Sequence, residues 1–394
     1  MKTRCLNCMS EYELELGICP YCGYDPDEPM ESSLHMQPGT LLHGRYLVGR
    51  ALGSGGFGIT YIGWDFTLQQ KVAIKEYLPS VFATRVLGET QVTVYTNGSN
   101  VEQYNSGLEQ FVEEACCLAK FQNTNGIVRV FESFEENNTA YIIMEYLEGE
   151  TLDSYLEHAG KIPVDEAITI LEPAMRALEV LHAEGIIHCN IAPDNIFLTT
   201  DGHAHLIDLG VLRYAMTIHS SSLAYIIRLC YSPEEQYRSC GDQEPYMDVY
   251  AMGAVLYRMI TGVTPPNAME RRAYFETENK DILIVPLKNC KIDKNKENAI
   301  LNAMNVRIED RTKTMEAFLG ELKSDKPVAR VSGKIRAFDM MRWPLWVKIS
   351  IPVAALVAVV LMTLLLTGRI GFLDTLNRDA ELAENETRVV TEQQ

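Results

Sequence analysis

Three glycines at the spacing Gly-x-Gly-x-x-Gly, namely Gly53, Gly55 and Gly58, stand between two β-prone runs, Arg45 to Val48 and Ile59 to Trp64. Had a helix followed, such glycines would mark a dinucleotide fold. A strand follows instead, which predicts a hairpin flap whose backbone N–H groups cover phosphates. Val72 to Lys75 is a short apolar strand ending on a lysine. A strand lysine is by default a solvated edge charge, but one on the strand after such a flap is placed to reach the α- and β-phosphates.

A second stretch reads His188-Cys189-Asn190-Ile191-Ala192-Pro193-Asp194-Asn195, and after the strand-like run Ala204 to Ile207 comes Asp208-Leu209-Gly210. A loop ending in an amide, then a strand, then Asp-x-Gly brings Asn195 and Asp208 together where a metal-bound polyphosphate would sit. Between flap and loop, Leu108, Phe111, Val112, Ala115, Leu118 and Ala119 recur at three and four residues and predict a helix over 105–121 that carries Glu113 and Glu114. Arg85 to Leu87 and Gln91 to Tyr95 predict an extra hairpin to which no chemistry attaches. Ile127 to Phe134 and Thr139 to Met144 read as strands around a turn, and Val164 to Glu184 as a helix that Pro173 must kink or break.

Taken in order, these motifs resemble the eukaryotic-like Ser/Thr protein kinases of bacteria, in particular membrane-anchored forms with a zinc ribbon. Lys75 to Pro79 (Lys-Glu-Tyr-Leu-Pro), Pro193 to Asn195 and Pro233 to Tyr237 (Pro-Glu-Glu-Gln-Tyr) carry the likeness. The resemblance implies a two-lobed α+β protein-kinase-like fold over residues 41–320, with an N-lobe at 41–147 and a C-lobe at 148–320. Met144 to Leu152 would be the hinge between them. It also implies ATP and Mg²⁺ as cofactors, with Gly53, Gly55, Gly58 and Lys75 on the nucleotide and Asn195 and Asp208 on the magnesium. Glu114 matches the helix glutamate that pairs with the lysine, and Arg311 the arginine that pairs with the glutamate after Pro233, Glu234. Asp248 to Gly253 resembles the start of the long buried C-lobe helix.

The chain departs from that family where the acceptor is handled. Its catalytic loop is expected to read His-Arg-Asp, and here Cys189 and Asn190 stand at the second and third positions. An aspartate at 190 would accept the substrate hydroxyl proton, whereas an amide has no lone pair basic enough. Cys189 replaces the arginine that receives a phosphate on the activation segment, so a phosphate at Thr217, Ser220, Ser221 or Ser222 would lack that partner. Ala192 and the pair Leu229-Cys230 also depart from the pattern, whereas the nucleotide-holding residues are retained. The expectation is a pseudokinase that binds Mg-ATP and acts as a switch or scaffold for a cytosolic signalling protein or another kinase. The alternatives are an active Ser/Thr kinase and a zinc-ribbon binding module carried on a kinase scaffold.

Residues 1–24 hold Cys5-x-x-Cys8 and Cys19-x-x-Cys22, four thiolates that suit a tetrahedral zinc ion. An acidic, proline-containing linker follows at 25–40. At the other end a basic juxtamembrane linker, 321–348, leads to an uncharged run, 349–367, long enough for roughly 28 Å of helix. The expected product is a single transmembrane helix in the cell membrane, with lipid bilayer as a partner. Basic residues before the span and acidic ones after it put the N-terminal domains in the cytoplasm and the tail, 368–394, outside. The ten cysteines are then reduced or metal-bound. A net charge of −18 argues against a nucleic-acid partner, since a phosphate backbone needs a basic face.

Overall fold

The two cysteine pairs open the chain on a small module with its own sheet. In the computed structural model, which describes residues 2–208, 230–237, 244–278, 282–283, 287–331 and 362, β1 (Lys2–Arg4) pairs antiparallel with β2 (Glu11–Glu13). The module has too little apolar substance for a core of its own, and its centre is Cys5, Tyr12 and Cys19 with Cys8 and Tyr24 packed against them. It leans on the next sheet instead. The Arg4 guanidinium lies 3.7 Å from the centre of the Trp64 ring, and Arg50 N–H donates to the Leu6 carbonyl at 2.8 Å. Gly49 is required at this seam, because a Cβ there would stand 2.3 Å from Leu6 O and 2.4 Å from Met9 Cε.

The main sheet is six-stranded and antiparallel, in the order β3-β4-β5-β6-β10-β9. Its members are β3 (Leu41–Leu42), β4 (Tyr46–Gly55), β5 (Gly58–Asp65), β6 (Gln70–Tyr77), β9 (Val130–Glu136) and β10 (Thr139–Glu145). Between β6 and β9 come the predicted extra hairpin, β7 (Ala83–Arg85) with β8 (Val92–Val94), and α1 (Asn100–Leu118), which starts five residues before the expected helix. Tyr104, Gly107, Phe111, Ala115 and Leu118 make the buried face of α1.

The second lobe begins with β11 (Gly149–Thr151) and α2 (Leu152–Ala159), whose first turn is capped by the Thr151 hydroxyl accepting from Ser154 N–H. Next comes α3 (Val164–Ala183). It runs through Pro173 as one element, so of the kink or break that the sequence predicts, the break does not occur. Apolar residues before the proline, Ile168, Ile170 and Leu171, and after it, Ala174, Met175 and Leu178, are all buried, enough to offset a proline penalty of ~3 kcal/mol. β12 (Ile196–Thr199) pairs with β11, and β13 (Ala204–Leu206) with β12, in a three-stranded sheet that carries the catalytic-loop region.

Helix α4 (Pro245–Thr261) is buried on almost every side and ends on Gly262 in the left-handed region, φ 72°. Among the described residues three further α-helices of this lobe follow it: α5 (Ala268–Glu278), α6 (Lys294–Ala303) and α7 (Met315–Leu322). Arg311 makes its ion pair with Glu235, not with Glu234 as the sequence leads one to expect, and Glu234 is bonded by Arg272 at 2.5 Å. A 3₁₀ turn over Glu234–Tyr237 aims neighbouring side chains in different directions, so a motif read one residue at a time misplaces the partner.

After α7 the chain runs back along α6 without regular structure, held by asparagines. Asn295 donates to Lys326 O and accepts from Val328 N–H. Asn298 donates to Val328 O at 2.8 Å, Asn302 donates to Ala329 O and accepts from Val331 N–H, and Asn305 donates to Val331 O. Residues 1–333 and 334–394 form two compact units. The expected span at 349–367 and tail at 368–394 lie outside the described residues except for Met362, and among the described residues no helix is long and apolar enough to cross a membrane.

Candidate active site

Strands β4 and β5 meet at Gly55 and Gly58, so the glycine stretch forms the tip of a hairpin, as its sequence predicts. A Cβ on Gly53, Gly55 or Gly56 would meet nothing within 4 Å. Those three glycines are therefore not demanded by packing within the described protein, and what they leave is bare backbone open to close approach. Gly58 differs, since a Cβ there would strike Glu76 O at 2.1 Å. Phe57, at the tip, packs against the cluster of Cys189 and Met247 from the other lobe.

Lys75 sits on β6, between β5 and β10, in register with Thr60 and Ile142. Its Nζ lies 2.5 Å from Asp208 Oδ1, with the two side chains 16% and 26% exposed. Burial works to lower the Lys75 pKa, but the charges of Asp208 and Glu114 and the hydrogen bond that Lys75 donates to Asp208 outweigh it and leave it raised. The lysine is thus a fixed cation. Its close partner is Asp208, where the sequence reading pairs it with Glu114; Glu114, half-buried on α1 beside exposed Glu113, acts on it through charge.

The loop from His188 to Asn195 is built on Asp248, at the start of α4. One Asp248 oxygen accepts from His188 N–H and from His182 Nε2, and the other from Cys189 N–H, each at 2.8 Å. Gln236 Nε2 donates to the Cys189 carbonyl at 2.8 Å. These bonds hold Cys189 at φ 58°, a left-handed conformation that costs a side-chain-bearing residue about 1–2 kcal/mol. Asn190 follows, 5% exposed, with its N–H donated to His188 Nδ1 at 3.2 Å. Asn195 Nδ2 donates to Asn190 O at 2.9 Å, which leaves the Asn195 carbonyl oxygen as its remaining acceptor. Asn195 O accepts from Ile207 N–H, so the loop and the residue before Asp208 are tied together. Leu209, Gly210 and the segment up to Leu229 lie outside the described residues.

His188 is fully buried and its Nε2 has no partner among the described residues. Burial lowers its pKa below 6.5 against the opposing charges of Asp248 and Asp208. A histidine with a depressed folded pKa contributes stability that is present above its unfolded value and lost as the pH falls. Melting midpoints are expected to drop between about pH 7 and pH 5, and to drop less steeply in His188→Gln. An equal slope in the variant would remove His188 from the acid response.

The four cysteines come together as their spacing predicts. All four sulfurs lie within 4.8 Å of one another, with Cys5 to Cys22 at 3.6 Å and Cys8 to Cys19 at 3.8 Å. Tetrahedral zinc with bonds of about 2.3 Å sets its sulfurs ~3.8 Å apart, so the donor set and its size both fit.

Sequence reading missed the support of the loop. Asp248 was legible only as the root of a helix, and Gln236 only as part of a motif, because nothing local ties them to residues some fifty positions earlier. It missed Phe57 as well, whose contact depends on how the two lobes meet.

A glycine flap, a buried lysine paired with a carboxylate, and an Asn–Asp couple between an antiparallel sheet and a helical lobe define a protein-kinase-like molecule. Residues 46–344 match the model of the protein kinase domain, and the chain belongs to that family. It is 30% identical over 239 residues to the serine/threonine-protein kinase PknL of Mycobacterium tuberculosis, covering 60% of this chain and 53% of that protein. A probable serine/threonine-protein kinase of Clostridium perfringens is 28% identical over 305 residues, 75% of this chain and 41% of the relative. The chain therefore spans about half the length of the curated relatives it matches. Among solved structures, PpkA-294 in its apo form superposes with a TM-score of 0.66 at 28% identity, covering 74% of this chain and 100% of that one. Rad53 residues 1–466 with AMP-PNP, at 20% identity and a TM-score of 0.53 over 70% of this chain and 64% of that one, shares the fold.

Proposed function

We propose that this chain binds Mg-ATP and transfers phosphate to protein weakly or not at all, serving as a pseudokinase switch or scaffold for a cytosolic signalling protein or another kinase. The observation that carries the reading is one juxtaposition. Lys75 and Asp208 are held in contact under an open glycine backbone, while the loop that would carry the base presents the amide of Asn190. Lys75 would hold the α- and β-phosphates, and Asp208 with the Asn195 carbonyl oxygen would hold the magnesium. When bound, the metal neutralises charge on the phosphates. The protein's own part is to fix the nucleotide and exclude water beneath the flap; with Asn190 it has no group at that position to take a hydroxyl proton. Glu114 would steady Lys75 by its charge.

The test is transfer of labelled γ-phosphate by the full chain to itself and to a basic protein acceptor, against Lys75→Ala prepared identically. Label at the level of that control is expected, together with thermal stabilisation by millimolar Mg-ATP that Lys75→Ala lacks. Label clearly above the control would favour the second reading, a slow Ser/Thr kinase, which the intact Asn195-to-Asn190 geometry supports. Absence of Mg-ATP stabilisation would sink both.

The cysteine module reads as a zinc ribbon, and the uncharged run 349–367 as a single membrane anchor with the kinase-like domain on the cytoplasmic side. Close to one equivalent of zinc per chain is expected by metal analysis, and Cys5→Ser with Cys19→Ser should abolish it. Retained zinc in that double variant would place the metal elsewhere. A ribbon that captured a partner without the rest of the chain would instead make the module the working part.

A further inference from the structure

Strand β6 carries two charged residues side by side, and the pleat sends them to opposite faces. Lys75 faces the cleft. Glu76 faces the back of the sheet, where its side chain and that of Arg85, from the extra hairpin, are both 0% exposed. Both Arg85 terminal nitrogens donate to the Glu76 carboxylate. Tyr61 and Tyr141, from the strands on either side of β6, add O–H donors at 2.9 and 3.0 Å. This carboxylate is fully satisfied in a place where an unpaired one would be expelled.

The same groups reach the linker after the cysteine module. Arg85 Nη1 also donates to Leu34 O at 2.8 Å, and Met36 N–H donates to the Tyr61 hydroxyl at 3.0 Å. Met36 is itself 1% exposed. Residues 34–36, expected as free linker, are thus tied through one guanidinium and one phenol to the strand that bears the nucleotide lysine. Two further contacts lie along the flap, one low on it and one at its tip. Gly49, low on β4, is pressed against Leu6 and Met9 of the module, and Gly58, at the start of β5, against the carbonyl of Glu76. Displacing Glu76 therefore moves both the lysine strand and the flap.

We propose that Glu76 and Arg85 are positioning residues for the nucleotide site, and that the hairpin and residues 34–36 serve as the brace that holds them. The inference rests on the Mg-ATP reading above. It gives the extra hairpin a purpose and joins the module's linker to the cleft.

The test uses the full chain, with Mg-ATP dissociation constants from titration calorimetry beside melting midpoints. Arg85→Lys keeps a charge for Glu76 but loses the planar fork that reaches Leu34 as well, and should weaken Mg-ATP binding about tenfold. The paired change Glu76→Leu with Arg85→Met removes both buried charges. It should restore the melting midpoint towards that of the parent and leave binding weak, an outcome a merely structural pair would not produce. Tyr61→Phe, which deletes one oxygen and is the mildest variant, should weaken binding about threefold and raise hydrogen exchange in residues 32–40 and 70–77 together. Parental affinity in Arg85→Lys and in Tyr61→Phe would overturn the proposal while leaving nucleotide binding intact. A parent chain that fails to bind Mg-ATP would overturn the nucleotide reading itself, and the positioning role with it.

Discussion

Asn190→Asp is expected to raise phosphate transfer by the full chain by roughly 10²- to 10⁴-fold, the usual contribution of a positioned general base. That is about 3–5 kcal/mol of barrier. The gain requires that the loop keep its shape. Asn190 is held by its own main chain, through N–H to His188 and through carbonyl to Asn195, so the side chain can change without moving the backbone. Asparagine and aspartate are nearly isosteric, and Lys75, Asp208 and Asn195 stay where they are. Transfer of labelled γ-phosphate to a protein acceptor, compared with the parent and with Lys75→Ala, reads the effect directly. If the aspartate variant were no faster than the parent, the block would lie at Ala192, Cys189 or the substrate-facing segment around Cys230.

Asp248→Ala should cost roughly 3–5 kcal/mol of stability, because one buried carboxylate satisfies two backbone donors and a histidine. For a lobe of this size that is a fall in melting midpoint on the order of 10 °C. Asp248→Asn should lose about half as much, since an amide offers one acceptor and turns a donor towards the other N–H. The left-handed Cys189 supplies an internal check. With Asp248 gone that conformation loses its main-chain N–H bonds to the carboxylate, so adding Cys189→Gly should return about 1 kcal/mol, by removing the side chain that resists it. Denaturant unfolding of the three variants measures this series. A fall below about 1 kcal/mol for Asp248→Ala would mean that the loop is supported from elsewhere.

The parts of this molecule that sequence exposed were those governed by local spacing. The glycine hairpin, the lysine strand, the four cysteines and the Asn–Asp couple each follow from a period or a fixed interval, and each lies where its interval puts it. The rest depended on contacts between distant segments. Glu76 is one residue from Lys75 and was passed over, because its meaning lies in Arg85 and in two tyrosines that only the pleat brings to one face. Arg311 was given the wrong glutamate because a tight turn separates Glu234 from Glu235 in direction. Pro173 marked a possible break by its local rule, and the helix runs on through it with apolar residues buried on both sides. Residues 25–40 looked like a tether by composition, yet Met36 is among the most deeply buried side chains in the chain.

The asparagines of α6, with Asn305 just past its end, hold residues 326–331 mainly by carbonyls and N–H groups; the one side chain of the stretch that joins the grip is Arg330, whose guanidinium donates to Asn302 and Asn305. The two partners should therefore age differently over generations. The held stretch is free to drift in composition, apart from Arg330 and from proline at Val328 or Val331, whose N–H groups are used. Asn295, Asn298, Asn302 and Asn305 have no such latitude, since aspartate loses the donor and leucine loses both functions.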